Sequence, residues 1–410
     1  MKIAIPRERA AGENRVAATP DTIGKLVGMG LEVVCEKGAG KGSSIPDEAY
    51  AGAGATIAGD AAATMGKADI VLKVRAPVDA AEVGRINSGA VLIGLMTPHL
   101  SGAEIAACAK RNLTVFSMEL LPRITRAQTM DVLSSQSNLA GYRTVIDAAA
   151  EFGRAFPMMM TAAGTVAPAK VFVMGAGVAG LQAIATARRL GAVVSATDVR
   201  AAAGEQVASL GAKFIMIELE GEAETAGGYA RELTDDEKRR QAELVAGHIG
   251  SQDIVITTAL IPGRPAPRLI TRDMVASMKP GSVIVDLAVE AGGNVEGSKP
   301  DAVVEAGNVK IVGYTNFAGR VAVDASQLYA RNLLNFLTPM IDTEAGTLQI
   351  DMEDEIVAAT LLTRDGRIVN DAVAEPAAPK PAKARAAGTR KKAAGSPARG
   401  AKKDDDGKDA

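Results

Sequence analysis

The chain has 410 residues, of which 47% are hydrophobic and only 3% aromatic, with no Trp. This length allows two or three domains with large buried cores, while the scarcity of aromatic side chains argues against a protein that stacks nucleic-acid bases. Residues 371–410 hold ten Lys and Arg against six Asp and Glu, whereas the whole chain has a formal net charge of -2. The rest of the chain is therefore mildly acidic, which gives no electrostatic footprint for nucleic acid.

Few residues of the types that bind metals or form disulfides are present. Cys35 and Cys108 lie in apolar surroundings, as reduced core cysteines of a cytosolic protein do, and only two histidines accompany them. We therefore predict no metal site. The first ten residues lack the apolar stretch of a signal peptide, and no uninterrupted apolar segment is long enough to span a bilayer. Any membrane role is expected to come through a partner.

Residues 1–120 alternate short apolar strands with amphipathic helices. Gly30, Gly54 and Gly89 fall at turns where helices end and a positive φ is needed. This rhythm predicts a parallel sheet covered on both faces by helices. The predicted strands are 3–5, 31–35, 70–74, 91–96 and 114–116, and the predicted helices are 21–27, 47–53, 80–85 and 103–110.

Residues 121–170 interrupt this rhythm. A stretch dense in polar groups precedes a long predicted helix over 132–156, and Pro157 and Pro168 then enclose a Met-rich loop. That loop leads into the segment around which the rest of the chain is organised.

The organising segment, residues 170–200, reads KVFVMGAGVAGLQAIATARRLGAVVSATDVR. A short apolar strand runs into G-x-G-x-x-G, formed by Gly175, Gly177 and Gly180, and a helix follows. In a dinucleotide-binding unit the first glycine permits the tight turn and the second lets the backbone approach a pyrophosphate. The third lets the helix pack closely on the strand, and the helix N-terminus offers free N–H groups to the phosphates.

Asp198 ends the second strand of this unit, 23 residues after Gly175. A carboxylate at this place can accept hydrogen bonds from an adenosine ribose. The alternative for the whole segment is an apolar core turn, and the complete strand–turn–helix–strand–acid pattern favours nucleotide binding.

The remaining sequence continues the alternation. Predicted strands are 213–218, 253–258, 282–288 and 309–314, and predicted helices are 202–210, 271–278 and one that ends near His248. The charged residues 220–240 are predicted to form a mobile loop. Nucleotides bind at the carboxyl ends of parallel strands, where the loop 259–263 and the turn 198–200 are both expected.

A helix over 321–337 is predicted to cross back to the first domain, and a further helix over 351–360 follows. The sequence therefore predicts an α/β protein with two Rossmann-like, doubly wound parallel-sheet domains. The first comprises 1–135 completed by 320–370, and the second, nucleotide-binding, comprises 136–319. Residues 371–410, rich in Ala, Lys and Pro, are predicted to be disordered.

Candidates for proton chemistry are few. His99 lies just past a predicted strand end, where it is either an active-site base or an exposed loop residue. His248 is predicted to be structural. Arg15 and Lys73 either bind a carboxylate or are surface charges.

A polar cluster lies at the start of the long helix. Arg123, Gln128, Asp131 and Ser134 fall within twelve residues. Such a set can hydrogen-bond a carboxamide and position a ring, but Thr125 or Ser134 as caps and Asp131 at a helix N-terminus explain it equally well. The residues alone leave both interpretations open.

Four segments together resemble one family: PRITRAQTMDVLSSQSNLAGYRTVIDA, GAGVAGLQAIATARRLGAVVSATDVR, ETAGGYA and SVIVDLAVEAGGNVEGS. They resemble the alpha subunit of proton-translocating NAD(P) transhydrogenase, over about residues 1–365. The resemblance implies the NAD(H)-binding component, a homodimer with two Rossmann-like domains per chain. It also implies the split form, in which a membrane-spanning subunit and an NADP(H)-binding subunit are separate polypeptides. The chain would then be cytoplasmic and held at the inner membrane by these partners.

The resemblance also implies roles for individual residues. Asp198 would favour NAD(H) over NADP(H), because its carboxylate would repel a 2′-phosphate. The nicotinamide would be surrounded by Arg123, Gln128, Asp131 and Ser134, with Ile124, Thr125, Arg126, Thr129 and Met130 lining the same loop; Val178, Asp198, Val199 and Arg200 would contact the pyrophosphate and adenosine; Gly228 and Tyr229 would close over the nucleotide, and Gln241 and Leu260 would complete the pocket.

The implied reaction needs no general base. Hydride passing between two nicotinamides releases no proton at the reacting carbons, so the protein has to align two rings and exclude water. The transported protons would belong to the membrane partner.

Two alternatives remain. Alanine dehydrogenase resembles this chain at Arg15, Lys73 and His99, but that family has an aspartate where this chain has Val289 and Glu290. The other alternative is a non-catalytic, NAD(H)-binding regulatory subunit.

Overall fold

The structure is a computed structural model and describes residues 1–217, 234–260 and 265–373. In chain order its strands are β1 (Lys2–Ile5), β2 (Glu32–Glu36), β3 (Thr56–Ala58), β4 (Ile70–Arg75), β5 (Val91–Leu95), β6 (Thr114–Ser117), β7 (Met159–Thr161), β8 (Gly164–Val166), β9 (Lys170–Met174), β10 (Val193–Thr197), β11 (Lys213–Phe214), β12 (Ile254–Thr257), β13 (Val283–Asp286), β14 (Ala302–Ala306), β15 (Val309–Gly313), β16 (Ile341–Asp342), β17 (Thr347–Leu348), β18 (Leu361–Arg364) and β19 (Arg367–Ile368).

The α-helices are α1 (Pro20–Gly28), α2 (Asp47–Gly52), α3 (Ala61–Met65), α4 (Ala80–Gly84), α5 (Gly102–Lys110), α6 (Val132–Glu151), α7 (Val178–Arg189), α8 (Ala203–Ser209), α9 (Asp235–Ile249), α10 (Arg272–Ala276), α11 (Ala322–Leu337) and α12 (Glu355–Thr360). Short 3-10 helices include Thr125–Met130 and Phe317–Val321.

The first sheet has the strand order β19-β18-β6-β5-β4-β1-β2-β3. Strands β1 to β6 are parallel, while β18 and β19 add an antiparallel edge. The central strands are nearly continuous apolar runs because helices cover both faces, and β4 (IVLKVR) is buried along almost its whole length. The sequence analysis did not predict β3, α3 or the β18–β19 pair.

The second sheet has the order β11-β10-β9-β12-β13-β15-β14. All of its pairs are parallel except β14 with β15, so one edge strand departs from the predicted parallel arrangement. The two sheets confirm the predicted α/β class and its Rossmann-like, parallel-sheet architecture.

Two helices join the cores of the two sheets. Val132, at the start of α6, packs in the core of the first sheet, whereas Val145 and Ala148 pack in that of the second. On α11, Tyr329, Leu333 and Leu337 follow a four-residue spacing and fill the first core. The chain therefore returns to the first sheet after the second is complete. The residue limits predicted for the two domains remain predictions.

The Met-rich segment between Pro157 and Pro168 is not the simple loop that the sequence analysis predicted. It contains the antiparallel hairpin β7–β8, in which Met159 pairs with Val166. Met158 and Met160 are 60% and 77% exposed. The predicted helix before it also ends earlier, at Glu151.

Other expectations are confirmed. Gly30, Gly54 and Gly89 have φ values of 81°, 99° and 83°. Cys35 and Cys108 are free and buried, and burial raises the pKa of each thiol to about 12. No helix within residues 1–217, 234–260 and 265–373 has the length and hydropathy needed to cross a membrane.

Candidate functional site

The glycine turn lies where the strand order of the second sheet reverses. Strand β9 is central, with β10 on one side and β12 on the other, and the three are parallel. Their following loops therefore emerge at the same edge, which is where ligands bind in open α/β sheets. Gly175, Asp198 and Thr258 come directly after these three strands.

The three glycines of the turn differ in what surrounds them. Gly175 has φ 104°, and a Cβ there would lie 2.5 Å from Thr258 Oγ1. A Cβ at Gly180 would lie 1.8 Å from the carbonyl oxygen of Gly175, so helix α7 can approach the turn only with glycine here. Gly177 has no atom within 4 Å of its Cβ position. The turn is thus tightly built at two positions and open at the third.

The N-terminus of α7 has donors to spare. Gly177 is its N-cap residue and provides no side-chain hydrogen bond. The first N–H groups of a helix have no partner within the helix, and they lie at the positive end of its dipole. An anionic group can therefore bind at this open position.

Asp198 is engaged by its own surroundings. Its carboxylate accepts hydrogen bonds from the N–H of Ala176 at 2.7 Å and from the N–H and Nε of Arg200, both at 2.9 Å. Burial acts to raise the pKa of Asp198, but these hydrogen bonds outweigh it and hold the pKa below its ordinary value. The carboxylate therefore stays charged and ties β10 to the glycine turn.

Three residues that the sequence analysis missed fix this edge. Thr258 Oγ1 donates to the carbonyl of Gly175 at 3.1 Å. Asp286 is fully buried at the end of β13 and accepts from the N–H groups of Ala288, Asn294 and Val295. The Asn294 amide in turn binds both the N–H and the carbonyl of Ala259. A strand-end Asp and the glycine-rich AGGN are the only sequence signals for this arrangement.

The other residues assigned around the adenosine and phosphates vary in exposure. Val178, Val199 and Leu260 are 42%, 76% and 56% exposed at this edge. Gln241 is a structural link: its Oε1 accepts from the N–H of Ile217, and its Nε2 donates to Thr197 Oγ1. Gly228 and Tyr229 lie outside the described residues, as do residues 218–233 and 374–410 generally.

In the cluster at 123–134, capping explains two of the residues. Asp131 is the N-cap of α6 and accepts from the N–H and the hydroxyl of Ser134, at 2.9 and 2.5 Å. Arg123 and Gln128 are exposed, and neither side chain has a hydrogen-bond or ion-pair partner within the described parts of the chain. These two side chains remain available to a ligand.

The remaining members of the cluster anchor the segment. Arg126 forms a two-point pair with Asp354, at 2.6 and 2.7 Å, and Met130 is buried. The carbonyl of Thr129 accepts from Asn332 and Asn335 of α11. Ile124 packs partly on the first core, and Thr125 is exposed.

Helix α6 links this cluster to the glycine turn. A Cβ at Gly141 would lie 2.1 Å from the carbonyl oxygen of Ala179, so α6 touches the first turn of α7. The start of α6, at Asp131, is ten residues earlier, or about 15 Å along the helix. One rigid element therefore carries the cluster and contacts the phosphate-binding end of α7.

The residues considered for proton or carboxylate chemistry are placed differently. Arg15 is 4% exposed and donates to Glu13 and Gln136, while fully buried Lys73 donates to Glu8 and Glu82. His99 is exposed. His248 bonds to Ser195 at 2.8 Å and packs edge-on against Phe172. Among the described residues, no group of His, Cys, Asp or Glu is arranged to hold a metal ion.

Comparison with known proteins identifies the family. The family described as "Alanine dehydrogenase/PNT, N-terminal domain" matches residues 4–140, and "Alanine dehydrogenase/PNT, C-terminal domain" matches residues 144–371. A Rhodospirillum rubrum protein, named as the first part of a divided NAD(P) transhydrogenase subunit alpha, is 59% identical over 379 residues, covering 91% of this chain and 99% of its own length.

The chain belongs to the NAD(P) transhydrogenase alpha-subunit family. A solved transhydrogenase structure from Sinorhizobium meliloti agrees, with 58% identity and a TM-score of 0.82 over 90% of this chain and 100% of the other. This transhydrogenase family is one of nucleotide-binding oxidoreductases. Alanine dehydrogenase is more distant: the Halomonas elongata enzyme is 32% identical over 384 residues, 92% of this chain and 96% of its own length.

Proposed function

We propose that this chain is the NAD(H)-binding subunit of a proton-translocating NAD(P) transhydrogenase. NAD(H) binds at the glycine turn, and hydride passes directly to or from NADP(H) held on a partner subunit. A membrane-spanning subunit couples this transfer to proton translocation. The observation that carries the proposal is the glycine turn at the strand reversal, open at Gly177 and followed by a charged Asp198.

The residues present fit a dinucleotide. The unpaired N–H groups at the start of α7 bind the pyrophosphate beside Gly177, with Val178 flanking them. Asp198 binds the adenosine ribose, with Val199 and Leu260 flanking the adenosine. Arg200, whose side chain is 55% exposed, leaves the Asp198 carboxylate and turns to the phosphates.

Once bound, the nicotinamide ring of NAD(H) supplies the hydride donor or acceptor. The chain positions this ring rather than moving a proton. Arg123 and Gln128 have free side chains for the carboxamide, and the Asp131–Ser134 cap fixes the end of α6 that follows them. Ile124, Thr125, Arg126, Thr129 and Met130 form the supporting segment, and Gly228, Tyr229 and Gln241 complete the pocket.

We further propose that the chain acts as a homodimer in the cytoplasm, held at the inner membrane by its partner subunits. The exposed Met158 and Met160 on the β7–β8 hairpin support an interface, because an isolated two-stranded hairpin is only marginally stable in water. Size measurement of the purified chain tests this assembly, and a monomer would refute it.

The decisive experiment combines the purified chain with the membrane-spanning and NADP(H)-binding subunits. We expect NADH to reduce an NADP⁺ analogue only when all of these subunits are present. Nucleotide binding without transfer in the intact complex would instead establish a regulatory subunit.

Alanine dehydrogenase is the second candidate, because Arg15 and Lys73 are present. Both cations already pair with buried carboxylates, and a carboxylate substrate would have to displace these partners. Supplying L-alanine and NAD⁺ to the chain alone separates the two functions. Appreciable NADH production would contradict the transhydrogenase proposal.

A further inference from the structure

The first sheet has a ligand-sized cavity of its own. Its volume is about 730 Å³, within the range of small-molecule sites, and it lies outside the carboxyl ends of β1, β2 and β3. Arg7 follows β1, Lys37 follows β2 and Asp60 follows β3, and Arg85 completes the wall at the end of α4. In this sheet the strand order also reverses beside β1, between β1 and β4. The cavity therefore adjoins the place where open α/β sheets bind ligands.

The charge balance of the cavity wall is positive. Its two acids are already engaged: Glu36 accepts from Arg9 at 2.7 and 3.0 Å and from the N–H of Arg7, and Asp60 caps α3 by accepting from the N–H of Ala63. Arg9 is thereby neutralised.

Three exposed cations remain around the cavity: Arg7, Lys37 and Arg85. Their side chains have no hydrogen-bond or ion-pair partner in residues 1–217, 234–260 and 265–373. Converging like charges repel one another, and a multivalent anion between them relieves that repulsion.

We propose that this cavity, which we call the first-sheet anion site, binds a small molecule carrying two or more phosphoryl groups. Guanidinium groups match phosphate oxygens at two points, and Lys37 adds a compact third charge. Phosphoryl groups carry more charge per atom than carboxylates and suit three uncompensated cations. The site lies on a different sheet from the glycine turn.

The test is a calorimetric titration of the full chain with inorganic pyrophosphate, at about 0.15 M ionic strength, where distant surface charges are screened. We expect saturable binding. Lys37→Ala and Arg85→Ala should each weaken it at least about tenfold, since each removes charge-assisted hydrogen bonds, while Lys37→Arg should retain most of it. Circular dichroism of each variant establishes that it is folded.

Two variants serve as matched controls. Lys67→Ala removes an exposed cation three residues before β4, at the amino edge of the same sheet, and should leave binding unchanged. Arg200→Ala examines the glycine turn, which also attracts phosphate. Binding that Arg200→Ala abolishes and Lys37→Ala leaves intact would overturn the proposal. So would the absence of saturable binding, or equal binding of succinate, which would remove the preference for phosphate.

Discussion

At the carboxyl edge of the first sheet, buried ionic side chains bind one another, whereas at the same edge of the second sheet bare backbone surrounds an open glycine turn. Lys73 lies 2.8 Å from Glu82 and 3.2 Å from Glu8, and none of the three side chains is more than 2% exposed. At Gly177, by contrast, no atom lies within 4 Å of the Cβ position. The first edge uses its central charges internally, while the second keeps N–H donors free for a ligand.

The pKa directions express the same difference. Burial raises the pKa of Glu8, and Lys73 offsets this only in part, so Glu8 is held in its charged form at some cost. Burial also acts to raise the pKa of Glu13, but hydrogen bonds from Arg15 outweigh it and lower the pKa. The two carboxylates lie in one network and respond oppositely, because Glu13 has a two-point guanidinium partner.

The largest expected effect comes from breaking the ionic edge. Lys73→Met should reduce the free energy of unfolding by about 3–5 kcal/mol, because it leaves two buried carboxylates without their cation. Denaturant unfolding measures the change. Without the cation both carboxyl groups protonate more readily, so the deficit should shrink as the pH falls; a deficit independent of pH would contradict this account. Lys25→Met, at an exposed pair with Asp21, is the control and should cost less than about 1 kcal/mol.

The next effect tests the close packing of the glycine turn. Gly180→Ala places a Cβ 1.8 Å from the Gly175 carbonyl and should destabilise the protein by about 1–3 kcal/mol or more. Gly177→Ala meets no neighbouring atom, so its thermal midpoint should stay close to that of the parent while NADH binding weakens. Equal midpoints for the two variants would show that the approach of α7 is not the constraint.

A third prediction concerns Asp198. Asp198→Ala should weaken NADH binding by about 1–3 kcal/mol, because the ribose hydrogen bonds are lost. A fluorescence titration measures the affinity, with Asp273→Ala, an exposed acid on α10, as the control. Unchanged affinity would remove the ribose assignment.

A fourth prediction asks whether the 123–134 segment serves the second edge. In Gln128→Ala, hydride transfer by the assembled complex should fall by about tenfold while NADH affinity changes little, because the side chain orients the ring rather than anchoring it. Gln206→Ala on α8 removes another exposed glutamine and should change neither quantity. Equal losses in transfer and binding would identify Gln128 as an anchor.

The smallest effect is expected at the Arg126–Asp354 pair. Hydrogen bonds from Arg126 lower the pKa of Asp354 from 3.8 to about 2, so the pair stabilises the fold above pH 4 and loses this contribution as the pH falls toward 2. The pair is open to solvent, and Arg126→Ala should leave the thermal midpoint at neutral pH nearly unchanged. A large drop there would show that the 125–130 helix depends on this anchor.

Local signals predicted much of the fold and some of the site. Gly175 and Gly180 were assigned from spacing alone, and the φ of the first and the crowding at the second bear this out. Strands such as β3 and β14 were missed because they are short edge strands without a long apolar run. The β7–β8 hairpin was missed because its turn lacks the Asn-Gly or Asp-Gly pair that marks a tight hairpin.

Long-range pairing could not be predicted. Glu8 meets Lys73 across 65 residues and Arg126 meets Asp354 across 228, and no periodicity connects such positions. Whether Asp131 and Ser134 cap a helix or hold a ring was left open by the sequence. The structure shows the cap, and the two roles are compatible because the cap leaves Arg123 and Gln128 free.

The return of the chain to the first sheet has a consequence for synthesis. Strand β18 pairs with β6, and α11 supplies Tyr329 and Leu333 to the first core, so that core is incomplete until the ribosome has passed residue 364. The second sheet needs only residues 170–313. The sheet that is translated first is therefore the last that can close, and for most of translation its unfinished edge at β6 needs protection from wrong partners.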